Sequence, residues 1–85
     1  MDYTGSTTNI DIRIEVLTQA IENTPGDDTL YVERGKLYHQ KGLFDKAQND
    51  FRRAAAFNPN NREAESYIEL IQEIFNYRYK DIYNP

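Results

Sequence analysis

The sequence predicts an all-α protein, an antiparallel helix–turn–helix array of about four helices. Three observations lead there. Apolar side chains recur at spacings of three and four along most of the chain, as amphipathic helices require. Short clusters rich in Pro, Gly and Asn interrupt that pattern at Asn23-Thr24-Pro25-Gly26, at Lys41-Gly42 and at Asn58-Pro59-Asn60-Asn61. The first and last of these clusters place Pro25 and Pro59 34 residues apart. Turns this short join antiparallel neighbours.

The elements follow in order. Residues 1–8 are small and polar, with Gly5, Ser6, Thr7 and Thr8, and are expected to form a flexible N-terminus ahead of a single domain over residues 9–85. Ile10, Ile14, Leu17 and Ile21 form one stripe of a first helix. Thr8 or Asn9 can cap it, because a side-chain oxygen there accepts an orphan amide of the first turn. Ile12 and Val16 fall on its other side and are expected to be exposed. Pro25 pushes Thr24 out of the helical region and ends the helix. Asp27 and Asp28 open a second helix at the positive end of its dipole. It carries Leu30, Tyr31, Leu37 and Tyr38, and ends at Gly42 in a left-handed cap. Gly35 in its middle costs roughly 1 kcal/mol against alanine, which implies a close helix–helix approach. A third helix over residues 45–57 sets Phe44, Ala47, Phe51, Ala54 and Ala55 on one side. The last begins near Arg62 and runs for about 20 residues, roughly 30 Å.

The 34-residue offset extends beyond the two prolines. It also relates Ile10 to Phe44, Leu17 to Phe51 and Ala20 to Ala54, and a helix–turn–helix unit at this period marks tetratricopeptide repeats. Tyr31-x-x-Arg34-Gly35-x-x-Tyr38 resembles the first helix of that family's repeat. Ala47, Phe51, Ala54 and Pro59 match the small, aromatic, small and proline positions of its second helix. The resemblance covers residues 28–61 as a full repeat and 9–27 as the second half of an earlier one. Residues 62–85 depart from the pattern, with Glu69 at the glycine position and Gln72 at the tyrosine position, and are expected to form a capping helix. Arg34 stands where leucine is commonest, a mild departure, and Arg13 stands where the pattern wants a small residue. The long aromatic tail is similar to that of short repeat proteins of gut bacteria.

Composition narrows the function. The chain has 85 residues, 39% hydrophobic and 28% charged, with net charge -4. That balance offers no basic footprint for nucleic acid or an anionic membrane surface. With no cysteine there is no disulfide, thiolate metal site or cysteine nucleophile. No signal peptide or membrane span is visible, so a cytoplasmic protein is expected. His39 is the only histidine and builds neither a triad nor a metal site alone. It is expected on the solvated side of the second helix. No glycine-rich phosphate loop occurs, and no cofactor is expected. The glutamates of the last helix read as a solvated face. The chain is therefore expected to be no enzyme, with a regulatory fragment of one as the remote alternative.

Two binding surfaces are expected. The resemblance implies a concave face that holds a protein or peptide, made here by Thr29, Val32, Lys36, His39 and Gln40. The asparagines and further lysines that would clamp an acidic peptide terminus are absent there. The other surface is on the last helix. Ala64, Tyr67, Ile68, Ile71, Ile74, Phe75, Arg78 and Ile82 share one face, with Leu70 and Tyr77 on a flank about 100° away. One partner helix cannot cover so wide an arc. Leu70, Ile74, Tyr77, Tyr79 and Tyr83 are thus candidates for an interface, either with another protein or in a homodimer, since arrays of fewer than about three repeats have difficulty burying a continuous core.

Overall fold

The computed structural model describes residues 8–83, with side chains described for residues 8–77. Among them the regular structure is four helices: α1 (Asn9–Asn23), α2 (Asp28–Gln40), α3 (Phe44–Phe57) and α4 (Arg62–Tyr83). Thr8 caps α1 through a capping box. Its hydroxyl accepts from the Asp11 amide at 3.1 Å while its own amide donates to the Asp11 carboxylate at 3.3 Å. The expected flexible terminus otherwise lies outside the described residues, and so do the side chains of Arg78, Tyr79, Ile82 and Tyr83.

Each turn closes by the chemistry of its own residues. Asp27 caps α2 by accepting from the Thr29 amide at 3.0 Å. Gly42 ends the α2 turn at φ 78, where L side chains are strained, and the Gly42 amide donates to the His39 carbonyl at 3.0 Å. At the α3–α4 turn the Asn58 and Asn61 side-chain amides both donate to the Asp28 carboxylate, at 3.0 and 2.7 Å. These two bonds hold the Asp28 carboxyl below its usual pKa. Asn61 also caps α4 by accepting from the Ala64 amide at 2.9 Å. A single polar cluster thereby fixes the entry of α4 against the start of α2.

The α2–α3 contact is the tightest part of the fold. A Cβ added at Gly35 would meet Phe51 Cε1 at 2.8 Å, so no side chain fits there. Ala47, Phe51 and Ala54 are fully buried around it. The same contact holds an ion pair that the sequence did not announce. Arg34 Nε and Nη2 each donate to the Asp50 carboxylate at 2.8 Å, and Nη1 donates to the Thr18 hydroxyl of α1 at 3.1 Å. Asp50 is 1% exposed. Its charge is tolerated only because the guanidinium fork satisfies both oxygens, and the carboxylate in turn raises the pKa of Arg34. Arg34 thus ties three helices together at one point. The Tyr31 hydroxyl adds a second tie toward α1, donating to the Pro25 carbonyl at 2.8 Å, and its ring stacks on Phe57.

α4 docks on α3 through Ala64 and Ile71, both buried, and through Tyr67, whose ring stacks on Phe51 at 4.6 Å. The Gln48 amide donates to the Ile68 carbonyl at 3.2 Å. On its opposite side α4 presents Glu65, Glu69, Gln72 and Asn76, all exposed and at helical spacing. The other end of the array differs. Ile12 and Val16 lie exposed on α1, as expected, and so does Arg13. By the 34-residue offset Val16 corresponds to Asp50, which Arg34 of α2 covers.

Candidate functional site

The residues expected on the concave face separate on α2. Thr29 and Gln40 are exposed. The Thr29 hydroxyl is turned back onto the Asp27 carboxylate at 2.6 Å. Lys36 is half-buried and reaches Glu63 of α4 at 3.0 Å, with Glu33 at 3.8 Å. The hydrogen bond to Glu63 raises the Lys36 pKa above its usual value. Val32, at 2% exposure, faces the core and has no surface to present.

His39 corrects the expectation of a solvated surface residue. Its ring sits edge-on to Phe44 at 5.3 Å and to Tyr67 at 5.5 Å, and Nε2 is buried with no hydrogen-bond partner. The reason is α4. Tyr67 closes over the end of α2, and the register of that closure cannot be read from α2 itself.

That register sets α2 against the first half of α4. Lys36 meets Glu63 and His39 meets Tyr67, pairs separated by 27 and 28 residues. Leu43 is 39% exposed, Leu70 46% and Tyr77 70%, with Ile74 half-buried between the last two. On α4, Leu70, Ile74 and Tyr77 recur at helical spacing and form one apolar strip, while Leu43 is exposed at the turn between α2 and α3. Tyr79 and Tyr83, also expected at the interface, lie outside the residues whose side chains are described. Leu43 lines an open hollow of about 240 Å³ together with Gly42, Phe44, Asp45, Lys46 and Phe75. Sequence reasoning missed Leu43 and this hollow. The available clue was an apolar pair, Leu43-Phe44, directly after the glycine that ends α2.

Among the described residues no group of three His, Asp or Glu side chains could hold a metal. No helix among them is long and apolar enough to cross a membrane. His39 has aromatic neighbours on two sides and no carboxylate bound to it among the described residues.

Comparison with known proteins agrees with the geometry. Residues 29–61 match a family model described as "Tetratricopeptide repeat". They take in nearly all of α2, all of α3 and the turn into α4. No curated protein and no solved structure matches the chain.

Proposed function

We propose that this chain, which carries a tetratricopeptide repeat over residues 29–61 within a four-helix array, is a non-catalytic interaction module that holds a protein or peptide partner. One observation supports this reading above the others. The strip Leu70, Ile74 and Tyr77 on α4 leaves apolar side chains in water on a chain whose interior is otherwise packed. Contiguous exposed apolar side chains rimmed by polar ones mark interaction sites. Tyrosine at the edge of such a strip has an apolar body and a polar tip, which suits an interface. Thr29, Lys36 and Gln40 extend the surface toward the start of α2, and α4 acts as the capping helix, its outward face solvated by Glu65, Glu69, Gln72 and Asn76.

The exposure of Leu70 and Tyr77 also favours a second reading, a homodimer through α4. Light scattering across protein concentration separates the two. The interaction module predicts that Leu70→Ser leaves the mass unchanged at every concentration, and a mass rising toward twice the monomer value, lost in Leu70→Ser, would replace it with the dimer. On the primary reading, Leu70→Ser with Tyr77→Ala keeps the helical circular-dichroism spectrum and removes partner binding. If binding is unaffected, the strip is not the site.

A further inference from the structure

Going beyond that reading, we infer that this chain associates head to tail with further copies of itself, the outward face of α4 in one copy packing on the free face of α1 in the next. The helix ends carry the offset seen in the sequence. α4 starts at Arg62, 34 residues after α2 starts at Asp28, and α3 ends at Phe57, 34 residues after α1 ends at Asn23. By that offset α1 is placed as a second α3 and α4 as a second α2. α3 packs on both α2 and α4, whereas α1 packs on α2 and leaves Ile12 and Val16 in water on its other side. In stacked repeats each unit is covered by its neighbour, and a second copy offers α1 the neighbour it lacks.

The closed α2–α3 contact is the template for the open one. There Gly35 faces Phe51, Ala47 lies one turn from Phe51 on the same buried stripe, and Arg34 pairs with Asp50. Mapped by the offset, Glu69 takes the place of Gly35 and Arg13 that of Ala47. Ile68 takes the place of Arg34, and Val16 that of Asp50. Both exchanges are matched. Two small residues become two long side chains of opposite charge, and an ion pair becomes a pair of aliphatic side chains. Leu17 stands where Phe51 would be and is shorter than that ring, which leaves room for a side chain at the glycine position. Arg13 and Glu69 are exposed, and neither has an ion pair among the described residues. Val16 is 61% exposed and Ile68 half-buried. The departures from the repeat pattern at Arg13 and Glu69 thus account for each other across one contact, and such complementarity selects the partner. A two-fold contact through either face alone would instead set Arg13 against Arg13 or Glu69 against Glu69. The strip Leu70, Ile74 and Tyr77 lies on another flank of α4 and stays open to a protein partner.

The test is light scattering of the full chain from micromolar to millimolar concentration at ~0.15 M salt, where distant charges are screened. A contact between two different faces leaves one of each free at the ends. The mass is therefore expected to rise past twice the monomer value, and Leu70→Ser to leave that rise in place. Arg13→Glu and Glu69→Arg, each alone, should weaken association about tenfold or more by setting like charges together, with the helical circular-dichroism spectrum intact. Should either lose that spectrum, the neutral Arg13→Gln or Glu69→Gln takes its place and should weaken association less. Mixing the two charge-reversed variants, or combining both changes in one chain, should restore growth. Val16→Asp should weaken it too, by burying a carboxylate against Ile68. A combined variant that folds but does not recover overturns the inference. So does a mass that stays at one monomer, which leaves the interaction module standing because partner binding is read separately. A rise that stops at twice the monomer value and disappears in Leu70→Ser overturns both in favour of the α4 dimer.

Discussion

The α2–α3 contact and the strip on α4 are built from similar side chains, yet one is closed and the other open. Between α2 and α3, Phe51 is fully buried against Gly35, and the buried carboxylate there, Asp50, has both oxygens bound by Arg34. On α4, Leu70 and Tyr77 stand in water. The first region satisfies its own groups, and the second leaves apolar surface uncovered. Stability and binding should therefore separate cleanly between the two regions.

The largest expected effect lies in the closed region. Phe51→Ala removes a ring packed on Gly35 and stacked with Tyr67, and should cost about 3–5 kcal/mol. In a chain of this size that lowers the melting temperature by well over 10 °C by circular dichroism, at roughly 4–8 °C per kcal/mol. Next is Asp50→Ala, which strands the Arg34 guanidinium. Because Arg34 is 15% exposed, water can take up part of the loss, and about 2–3 kcal/mol is expected from the charged hydrogen bonds. Gly35→Ala should follow. Helix propensity favours alanine by about 1 kcal/mol, but overpacking a buried ring costs roughly 1–3 kcal/mol, so the net is a modest loss. A gain in stability would show that the close approach is looser than described.

Acid provides a smaller effect in the polar cluster that fixes the start of α4 against the start of α2. The folded pKa of Asp28 lies below the ordinary value of 3.8 because Asn61 and Asn58 donate to its charged form. A depressed carboxyl stabilises the fold above its unfolded pKa. That contribution is present in full above about pH 5, and fades as pH falls past 3.8 and through the lowered folded value. Asp28→Asn should flatten this part of the stability-against-pH curve measured by urea unfolding. An unchanged slope would remove Asp28 from the cluster's account. Smallest of all, Leu70→Ser and Tyr77→Ala should each change stability by no more than about 0.5 kcal/mol. A loss of several kcal/mol would mean that the strip is packed against something in the free protein.

The same contrast explains what the sequence made legible. Gly35, Ala47, Phe51 and Ala54 could be read because packing inside a repeat imposes residue size at a fixed period. The four helices and the left-handed Gly42 followed from local rules of the same kind. The Arg34–Asp50 pair was hidden, since its partners are 16 residues apart and meet only once two helices are docked. One clue was present. Asp50 falls on the helical stripe of Ala47, Phe51 and Ala54, and an ionisable residue on an apolar stripe needs a partner. His39 and Val32 were misjudged for a related reason. Their burial depends on where neighbouring helices settle, and the settling of α4 rests on Lys36–Glu63, Gln48 to Ile68 and Tyr67 on Phe51. The exposure of Leu70, Tyr77, Ile12 and Val16 was legible, because it needed only the arc that one neighbouring helix can cover.

The most direct test of the open strip is residue-resolved. The methyl-labelled protein would be followed by NMR in the presence of a soluble paramagnetic agent. The account predicts that the Leu70 methyls broaden strongly, while those of Val32 and Ile71 are spared. Equal protection of Leu70 and Ile71 would contradict it.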